Sequence, residues 1–283
     1  MADKPRLLVL GAGPGGYPAA FLGADHGFDV TQVDLDEQPG GVCLHRGCIP
    51  SKALLHIAKV LGEAKEAERF GVSFGTPTID LDKLRAWKNS VVAKMTGGLG
   101  ILGKVRKVRH LAGRGRFLDA NHLLVELNSG GAETAEFDYA VVATGSTPIA
   151  LPKLFPASPR VMDSTSALAV EDIPETLLVV GGGYIGLELG SVYASLGSKV
   201  TVVEATQGLL NGVDRDLVDI LEVSLRSRFE EVLLDTKVVE SREVDGGIEV
   251  KLVGLDLKEP VRVFDKVLVS IGRRPSSGGI GLE

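Results

Sequence analysis

The chain contains one stretch of itself twice, and this repeat limits its possible folds more than any other feature. Leu7 to Asp34 reads LLVLGAGPGGYPAAFLGADHGFDVTQVD, and Leu177 to Glu204 reads LLVVGGGYIGLELGSVYASLGSKVTVVE. The two align without a gap from Leu7 on Leu177 to Asp34 on Glu204, with 11 of 28 positions identical. Each copy opens on a short apolar run, the pattern of a strand buried on both faces. A Gly-x-Gly-x-x-Gly loop follows, as Gly11-Ala12-Gly13-Pro14-Gly15-Gly16 and as Gly181-Gly182-Gly183-Tyr184-Ile185-Gly186. The first glycine makes a tight turn, the second lets backbone approach a pyrophosphate, and the third lets a helix pack on the strand. The amino end of that helix offers unpaired N–H groups to phosphate. The second strand of each copy ends in an acid, Asp34 after Gly16 and Glu204 after Gly186, at the same spacing from the last loop glycine. That spacing suits hydrogen bonds from ribose hydroxyls. A single such loop can be a purely structural turn. Two copies with strand, helix and acid in place predict two dinucleotide sites on one α/β chain.

At 283 residues the chain has room for two domains of ~100–200 residues each. Its 36 glycines are about twice the ordinary share of ~7%, which implies many tight turns or close backbone approaches. A net charge of −6 leaves no basic excess for nucleic acid. The longest apolar run, Leu177 to Leu187, stops at Glu188 and falls short of the ~20 residues of a membrane span. Met1 to Arg6 enters a strand with neither an apolar leader nor an Arg-rich one, so a cytoplasmic protein is expected.

Around the repeat, the pattern predicts helices over 57–68 and 81–95, and strands over 108–117, 123–127 and 137–143. The Pro-rich stretch 148–159 reads as a linker. Residues 238–253, with Gly246-Gly247, read as a hairpin, and 263–271 as one buried strand with no element after it. Pro18, in the first helix, is expected to distort it locally.

Cys43 and Cys48 are the only cysteines. In a regular helix, residues five apart have Cα atoms about 8–9 Å apart, beyond the ~7 Å reach of a disulfide. A bridge therefore needs a break, which Gly47 permits. Arg46 and Lys52 lie close by and are expected to favour a thiolate. Three chemistries compete for the pair. A structural disulfide suits a cytoplasmic protein poorly, and a zinc site has only His45 near it. A redox-active dithiol beside a flavin is the favoured reading.

The run Gly40-Gly41-Val42-Cys43-Leu44-His45-Arg46-Gly47-Cys48-Ile49-Pro50-Ser51-Lys52 resembles the redox motif of the disulfide-linked flavoprotein reductases. With the second glycine loop running on into Leu187-Glu188, the whole chain resembles the dihydrolipoyl dehydrogenase branch of the pyridine nucleotide-disulfide oxidoreductases. The resemblance implies a glutathione-reductase-type fold with two Rossmann-like domains, FAD-binding over 1–148 and NAD-binding over 149–283, the second inserted in the first. It implies FAD held by Gly11, Gly13, Pro14, Gly15, Gly16, Asp34, Gly41, Val42 and Cys43. Lys52 would lie at the flavin ring, Gly115 near the adenosine, and Thr144 and Gly145 at the same site. NAD would be held by Gly181, Gly183, Tyr184, Ile185, Gly186, Glu204, Val238, Gly272 and Arg273, with Ser270 to Arg273 lining the site. Cys43 would exchange with a dithiol substrate, Cys48 would contact the flavin, and Glu188 would pair with Lys52 across a domain boundary.

Members that use NADPH place Arg near the end of the second strand of this repeat. Here that position is Glu204, and the nearest Arg is Arg215, so NAD is expected over NADP. This disfavours glutathione and mercuric reductases, while Tyr184, similar to a gating tyrosine of the glutathione-reductase branch, points weakly the other way or is mere packing. His45 stands where Asn is common. The implied activity is oxidation of protein-bound dihydrolipoamide through a Cys43–Cys48 disulfide. The implied partners are lipoyl domains of 2-oxo acid dehydrogenase complexes or the glycine cleavage system. Family members continue into a second flavin-contacting segment and central and interface domains with a His-Glu pair. On that basis the chain is expected to be an N-terminal fragment of a homodimeric enzyme, by itself a monomer with weakened FAD binding and negligible turnover. The competing class is a non-catalytic nucleotide-binding module.

Overall fold

The computed structural model describes residues 4–254 and 257–283. Met1 to Asp3, where the reading of the amino terminus begins, lie outside the described residues. The chain divides into two compact units, 1–50 with 89–147 and 274–283, and 51–88 with 148–273. The second is thus an insertion in the first, as a glutathione-reductase-type fold requires.

The elements run in chain order as β1 (Arg6–Leu10), α1 (Gly16–Asp25), β2 (Asp29–Asp34), α2 (Gly41–Arg46), α3 (Cys48–Glu66) and α4 (Leu81–Val105). Next come β3 (Arg109–Phe117), β4 (His122–Leu127), β5 (Ala132–Glu136), β6 (Tyr139–Val142) and β7 (Ser146–Pro148). The first unit is built on a sheet of order β5-β4-β3-β2-β1-β6. β6, β1, β2 and β3 are parallel, while β3, β4 and β5 pair antiparallel. Alternate residues of β1 feed opposite faces, Leu8 and Leu10 packing with Val33, Leu111 and Phe117, and Val9 with Ala20 and Val30. Each fully buried Leu or Val contributes about 1.5–3 kcal/mol, so a strand buried on both faces is pinned in register.

The remaining elements are β8 (Val161–Met162), α5 (Ser164–Ala167), β9 (Thr176–Val180), α6 (Tyr184–Leu196), β10 (Lys199–Val203) and α7 (Arg215–Arg226). They continue with β11 (Glu231–Leu233), β12 (Lys237–Val244), β13 (Gly247–Val253), β14 (Val261–Phe264), β15 (Lys266–Val269) and β16 (Arg273–Pro275). The second unit holds a parallel sheet of order β11-β10-β9-β15-β8 and an antiparallel one of order β12-β13-β14. The repeat survives in the pairing. Arg6↔Asp29 to Leu10↔Val33 in β1–β2 becomes Thr176↔Lys199 to Val180↔Val203 in β9–β10, shifted by the sequence offset.

Three expectations need correction, and one strand escapes the sequence. Pro18 is the third residue of α1, within the first turn, where N–H groups have no intrahelical partner; α1 runs on unbroken. The expected strand over 263–271 is two strands, β14 and β15, which enter different sheets either side of Asp265. β5 has no apolar run to announce it. An element does follow, the short strand β16, and after it Ile280 is buried with Phe117 and Leu123, its carbonyl accepting from the Phe117 N–H at 2.7 Å.

α4 carries Gly97, Gly98, Gly100 and Gly103 in its last turns. Gly98 is exposed, and a Cβ there would meet nothing within 4 Å. Gly98→Ala is therefore expected to stabilise the chain by about 0.5–1 kcal/mol, a rise of about 1–4 °C in thermal midpoint. A fall in midpoint would show that this helix face is covered.

Candidate functional site

The two glycine loops are built alike down to single bonds. The Gly11 N–H donates to the Val33 carbonyl at 2.7 Å, and the Gly181 N–H to that of Val203 at 2.8 Å. Both glycines are left-handed, at φ +112° and +109°, a region costly for any residue with a Cβ. A Cβ on Gly11 would also lie 2.1 Å from the Ala143 carbonyl oxygen, and one on Gly181 2.6 Å from that of Ser270. Each loop thus presses on the backbone just past a parallel strand, at the carboxyl end of the sheet where α/β folds bind ligands. At the third glycine, a Cβ on Gly16 would meet the Gly11 oxygen at 1.9 Å, and one on Gly186 the Gly181 oxygen at 2.5 Å. That contact seats the amino ends of α1 and α6 against their loops.

The acids close each unit. Asp34 accepts from the Ala12 N–H and, at 2.9 Å, from the Asp36 N–H. Glu204 accepts from the Gly182 N–H at 2.7 Å, from the Thr206 N–H at 2.9 Å and from the Thr206 hydroxyl at 2.7 Å. The backbone partners correspond position for position in the two copies, Ala12 to Gly182 and Asp36 to Thr206. A carboxylate has about four acceptor positions, so each keeps capacity for a ribose hydroxyl while fixing its own loop. The turn-forming residues Asp36 and Thr206 escape a search for the loop motif alone. Their signal is short, an acid followed two residues on by Asp or Thr, which closes a side-chain-to-backbone turn.

α2 begins on the first loop. The Gly40 N–H donates to the Ala12 carbonyl at 2.8 Å, and a Cβ on Gly41 would lie 2.5 Å from the Gly13 Cα. Only glycine against glycine allows this approach, and it brings Val42 and Cys43 beside the loop. Thr144 joins the same cluster, its nitrogen 3.2 Å from the position of a Gly11 Cβ, and Gly145 follows with its carbonyl bonded to the Ser276 N–H at 2.9 Å.

The helix break that a Cys43–Cys48 bridge demands is present. α2 ends at Arg46 and α3 starts at Cys48. A Cβ on Gly47 would stand 2.9 Å from the Val42 carbonyl oxygen, so the break folds back too tightly for a larger residue. Cys43 is half-buried, Cys48 is exposed, and the pair lies near disulfide distance. Cys48 opens α3, whose amino end favours negative charge.

The expected help from Arg46 and Lys52 is weaker than the sequence suggests, because both cations face carboxylates. Arg46 donates two hydrogen bonds to Asp36, at 2.9 and 2.6 Å. Burial works against ionised Asp36, but these bonds, the Arg46 charge and the nearby His45 and His110 together hold its carboxyl below the usual range. Lys52 Nζ lies 2.6 Å from Glu188 Oε1, and Ser51 Oγ lies 3.3 Å from Oε2. The Lys52–Glu188 pair forms as expected, though within the second unit and not across a boundary, because α3 buries Leu54 in that unit's core. With Lys52 59% exposed, the pair adds at most ~1 kcal/mol to stability; its value is to fix where the ammonium sits, one turn along α3 from Cys48.

The other candidates are scattered. Gly115 lies in β3, where a Cβ would meet Leu10 at 2.7 Å and Leu123 at 2.9 Å, so it is a packing position of the first core. Val238 is buried with Val180 and Val203 at the ends of β9 and β10. Gly272 accepts from the Ile149 N–H at 3.0 Å, and Arg273 opens β16. Tyr184 is 64% exposed at the start of α6, with Ile185 beside it.

No helix among the described residues is long and apolar enough to cross a membrane. Residues 5–283 match the pyridine nucleotide-disulphide oxidoreductase family. The chain is 45% identical over 285 residues to a dihydrolipoyl dehydrogenase of Haemophilus influenzae, covering 99% of this chain and 59% of that protein. It is 42% identical to a dihydrolipoyl dehydrogenase of Geobacillus stearothermophilus, again over 59% of the latter. Among solved structures, LpdA from Mycobacterium tuberculosis superposes with a TM-score of 0.87 at 26% identity, over 98% of this chain and 61% of that one. The HOCl-induced flavoprotein disulfide reductase RclA from Escherichia coli, in a Cu(II) complex, gives 0.81 at 25% identity, over 98% and 58%. The chain thus spans nearly three fifths of the length of these relatives. Paired glycine loops, their acids and a cysteine pair on a broken helix belong together in one lineage: this chain is a member of the pyridine nucleotide-disulphide oxidoreductase family.

Proposed function

We propose that the chain forms the dinucleotide-binding and redox part of a dihydrolipoyl dehydrogenase, with FAD at the first glycine loop and NAD at the second. The observation that carries this is the cysteine pair set on a helix break beside the first loop, in a chain 45% identical to a protein of that name. Fit to the cofactors rests on the loops themselves. Gly41 is buried against Gly13, where a Cβ would lie 2.5 Å from the Gly13 Cα and force the loop apart, and a Cβ on Gly183 would meet nothing within 4 Å, leaving that position open to a ligand.

In this reading a thiolate of the dihydrolipoyl group attacks Cys43 and expels Cys48 as thiolate. The second substrate thiol then displaces Cys43, leaving a lipoyl disulfide and two reduced cysteines. Two electrons have passed to the protein, and the two substrate protons go to the cysteine thiolates or, where these stay ionised, to solvent. FAD, when bound, carries those electrons on to NAD. Lys52, held by Glu188, presents a fixed positive charge near Cys48, and Asp34 and Glu204 orient the two riboses. Thr144, Gly145, Gly272 and Arg273 shape the two sites, and Gly115 and Val238 support them from the cores. The proposed partners are lipoyl-bearing domains of 2-oxo acid dehydrogenase complexes or of the glycine cleavage system, met by a homodimer. A dithiol that must cycle suits a reducing compartment such as the cytoplasm.

Alkylation and mass spectrometry test the centre of this reading. Air-oxidised protein loaded with FAD is expected to show a Cys43–Cys48 disulfide that dithiothreitol opens, giving two alkylated cysteines. Two freely alkylated cysteines before reduction would overturn it.

A further inference from the structure

We propose that the Asp36–Arg46 pair is a clamp that positions the redox helix α2 and thereby sets how readily Cys43 and Cys48 close into a disulfide; the inference rests on the dithiol reading above. α2 is only six residues long, ends at Arg46 and is parted from α3 by Gly47, so the place of Cys43 relative to Cys48 depends on how α2 is seated. Its last residue, Arg46, makes a two-pronged contact with Asp36 at 2.9 and 2.6 Å. Paired parallel bonds of this kind constrain orientation as well as distance. Asp36 is itself anchored. Its N–H is bonded to Asp34, its carbonyl lies 3.0 Å from His110 Nε2, and Asp34 in turn holds the Ala12 N–H of the glycine loop. A second contact, His45 Nε2 to the Gln38 carbonyl at 3.0 Å, ties the same turn of α2 to the same segment.

The repeat supplies an internal control. The equivalent of Asp36 in the second copy is Thr206. There the N–H makes the same bond to the strand-end acid, but the hydroxyl turns back onto Glu204 and holds no helix. The turn alone therefore needs no carboxylate at this position. The copy that carries the cysteine pair has one, and it is spent on α2.

Closing the disulfide oxidises two thiols and releases two protons and two electrons. Against glutathione the balance is protein dithiol plus oxidised glutathione giving protein disulfide plus two reduced glutathiones. The clamp acts on the dithiol side by limiting how far α2 swings about Gly47, which keeps the local concentration of one thiol at the other high.

The test equilibrates the full chain, wild type and variants, in defined mixtures of reduced and oxidised glutathione, and counts alkylated cysteines. Arg46→Met and Arg46→Lys are each expected to lower the equilibrium constant for disulfide formation about tenfold, a rise of about 30 mV in midpoint potential. Asp36→Asn approaches the same contact from the other side and should match them, which covers a failure of either Arg46 variant to fold. The Arg46→Lys variant separates clamp from charge. Wild-type behaviour in Arg46→Lys, while Arg46→Met shifts, would assign the effect to charge and overturn the clamp. Constants within twofold of wild type in all three would also overturn it. A wild-type chain that forms no disulfide at any glutathione ratio would instead bring down the dithiol reading, and the clamp with it.

Discussion

Gly16→Ala is expected to abolish retention of FAD and to destabilise the chain by about 3 kcal/mol or more, above the ordinary range for overpacking. The new Cβ would lie 1.9 Å from the Gly11 carbonyl oxygen and 2.7 Å from its carbon. Both are backbone atoms of a loop whose own N–H is bonded to Val33, so no side chain can swing aside. Relief requires α1 to lift from the loop, which withdraws the helix amino end from any pyrophosphate. Against a total stability of ~5–15 kcal/mol, that loss is large enough to read in a urea melt. Gly186→Ala should be milder. One of its two contacts at 2.5 Å is the Ser270 hydroxyl, which can rotate away. The order Gly16→Ala, Gly186→Ala, wild type, Gly98→Ala in rising stability is the expected series. A Gly16→Ala chain with wild-type melting and bound FAD would show that the loop opens freely and that its tight seat is unimportant.

This contrast among glycines marks how far the sequence could be read. The motif spacing identifies Gly11, Gly16, Gly181 and Gly186 because the demand on them is local and periodic, and the structure meets it with the same backbone bonds in both copies. Asp34 and Glu204, at matching distances beyond those loops, are legible for the same reason. Gly47 is legible from reach alone, since a helical spacing of five holds two cysteines too far apart. What the sequence hides is pairing between segments that no period connects. Nothing in the stretch around Arg46 says that its charge is matched by Asp36, earlier in the chain. The segment after β2 that positions Asp36 has neither strand nor helix pattern. Likewise the split at Asp265 is invisible in an apolar run, because β14 and β15 are both β-rich and differ only in which sheet receives them. Asp265 itself marks the change, accepting from the Thr176 N–H at 2.8 Å at the start of β9.

The second glycine loop is expected to bind NADH about 100-fold more tightly than NADPH, a gap of about 2.7 kcal/mol. The cause is Glu204. Its carboxylate is fixed from three sides by the Gly182 and Thr206 N–H groups and the Thr206 hydroxyl, so it cannot rotate away from a 2′-phosphate. Two unit charges about 4 Å apart at an effective dielectric of about 20 repel by about 4 kcal/mol, and partial exposure of the site reduces that toward the smaller figure. Arg215 is the closest arginine in sequence, but its guanidinium already donates to the carbonyls of Leu209, Leu210 and Val213 at 2.8–3.1 Å. Drawing it onto a phosphate would break those bonds and release the segment that seats Leu209 in the core. Glu204→Gln tests the charge while keeping the shape. The amide has one acceptor oxygen where the carboxylate has two, so one loop bond is lost at about 1 kcal/mol. That loss weakens both nucleotides alike and cancels in their ratio. The ratio of dissociation constants, followed by nucleotide fluorescence, should therefore fall from about 100 to about ten or below. Equal affinity for the two nucleotides in the wild-type chain would remove Glu204 as the selector and place the 2′ position of the ribose elsewhere.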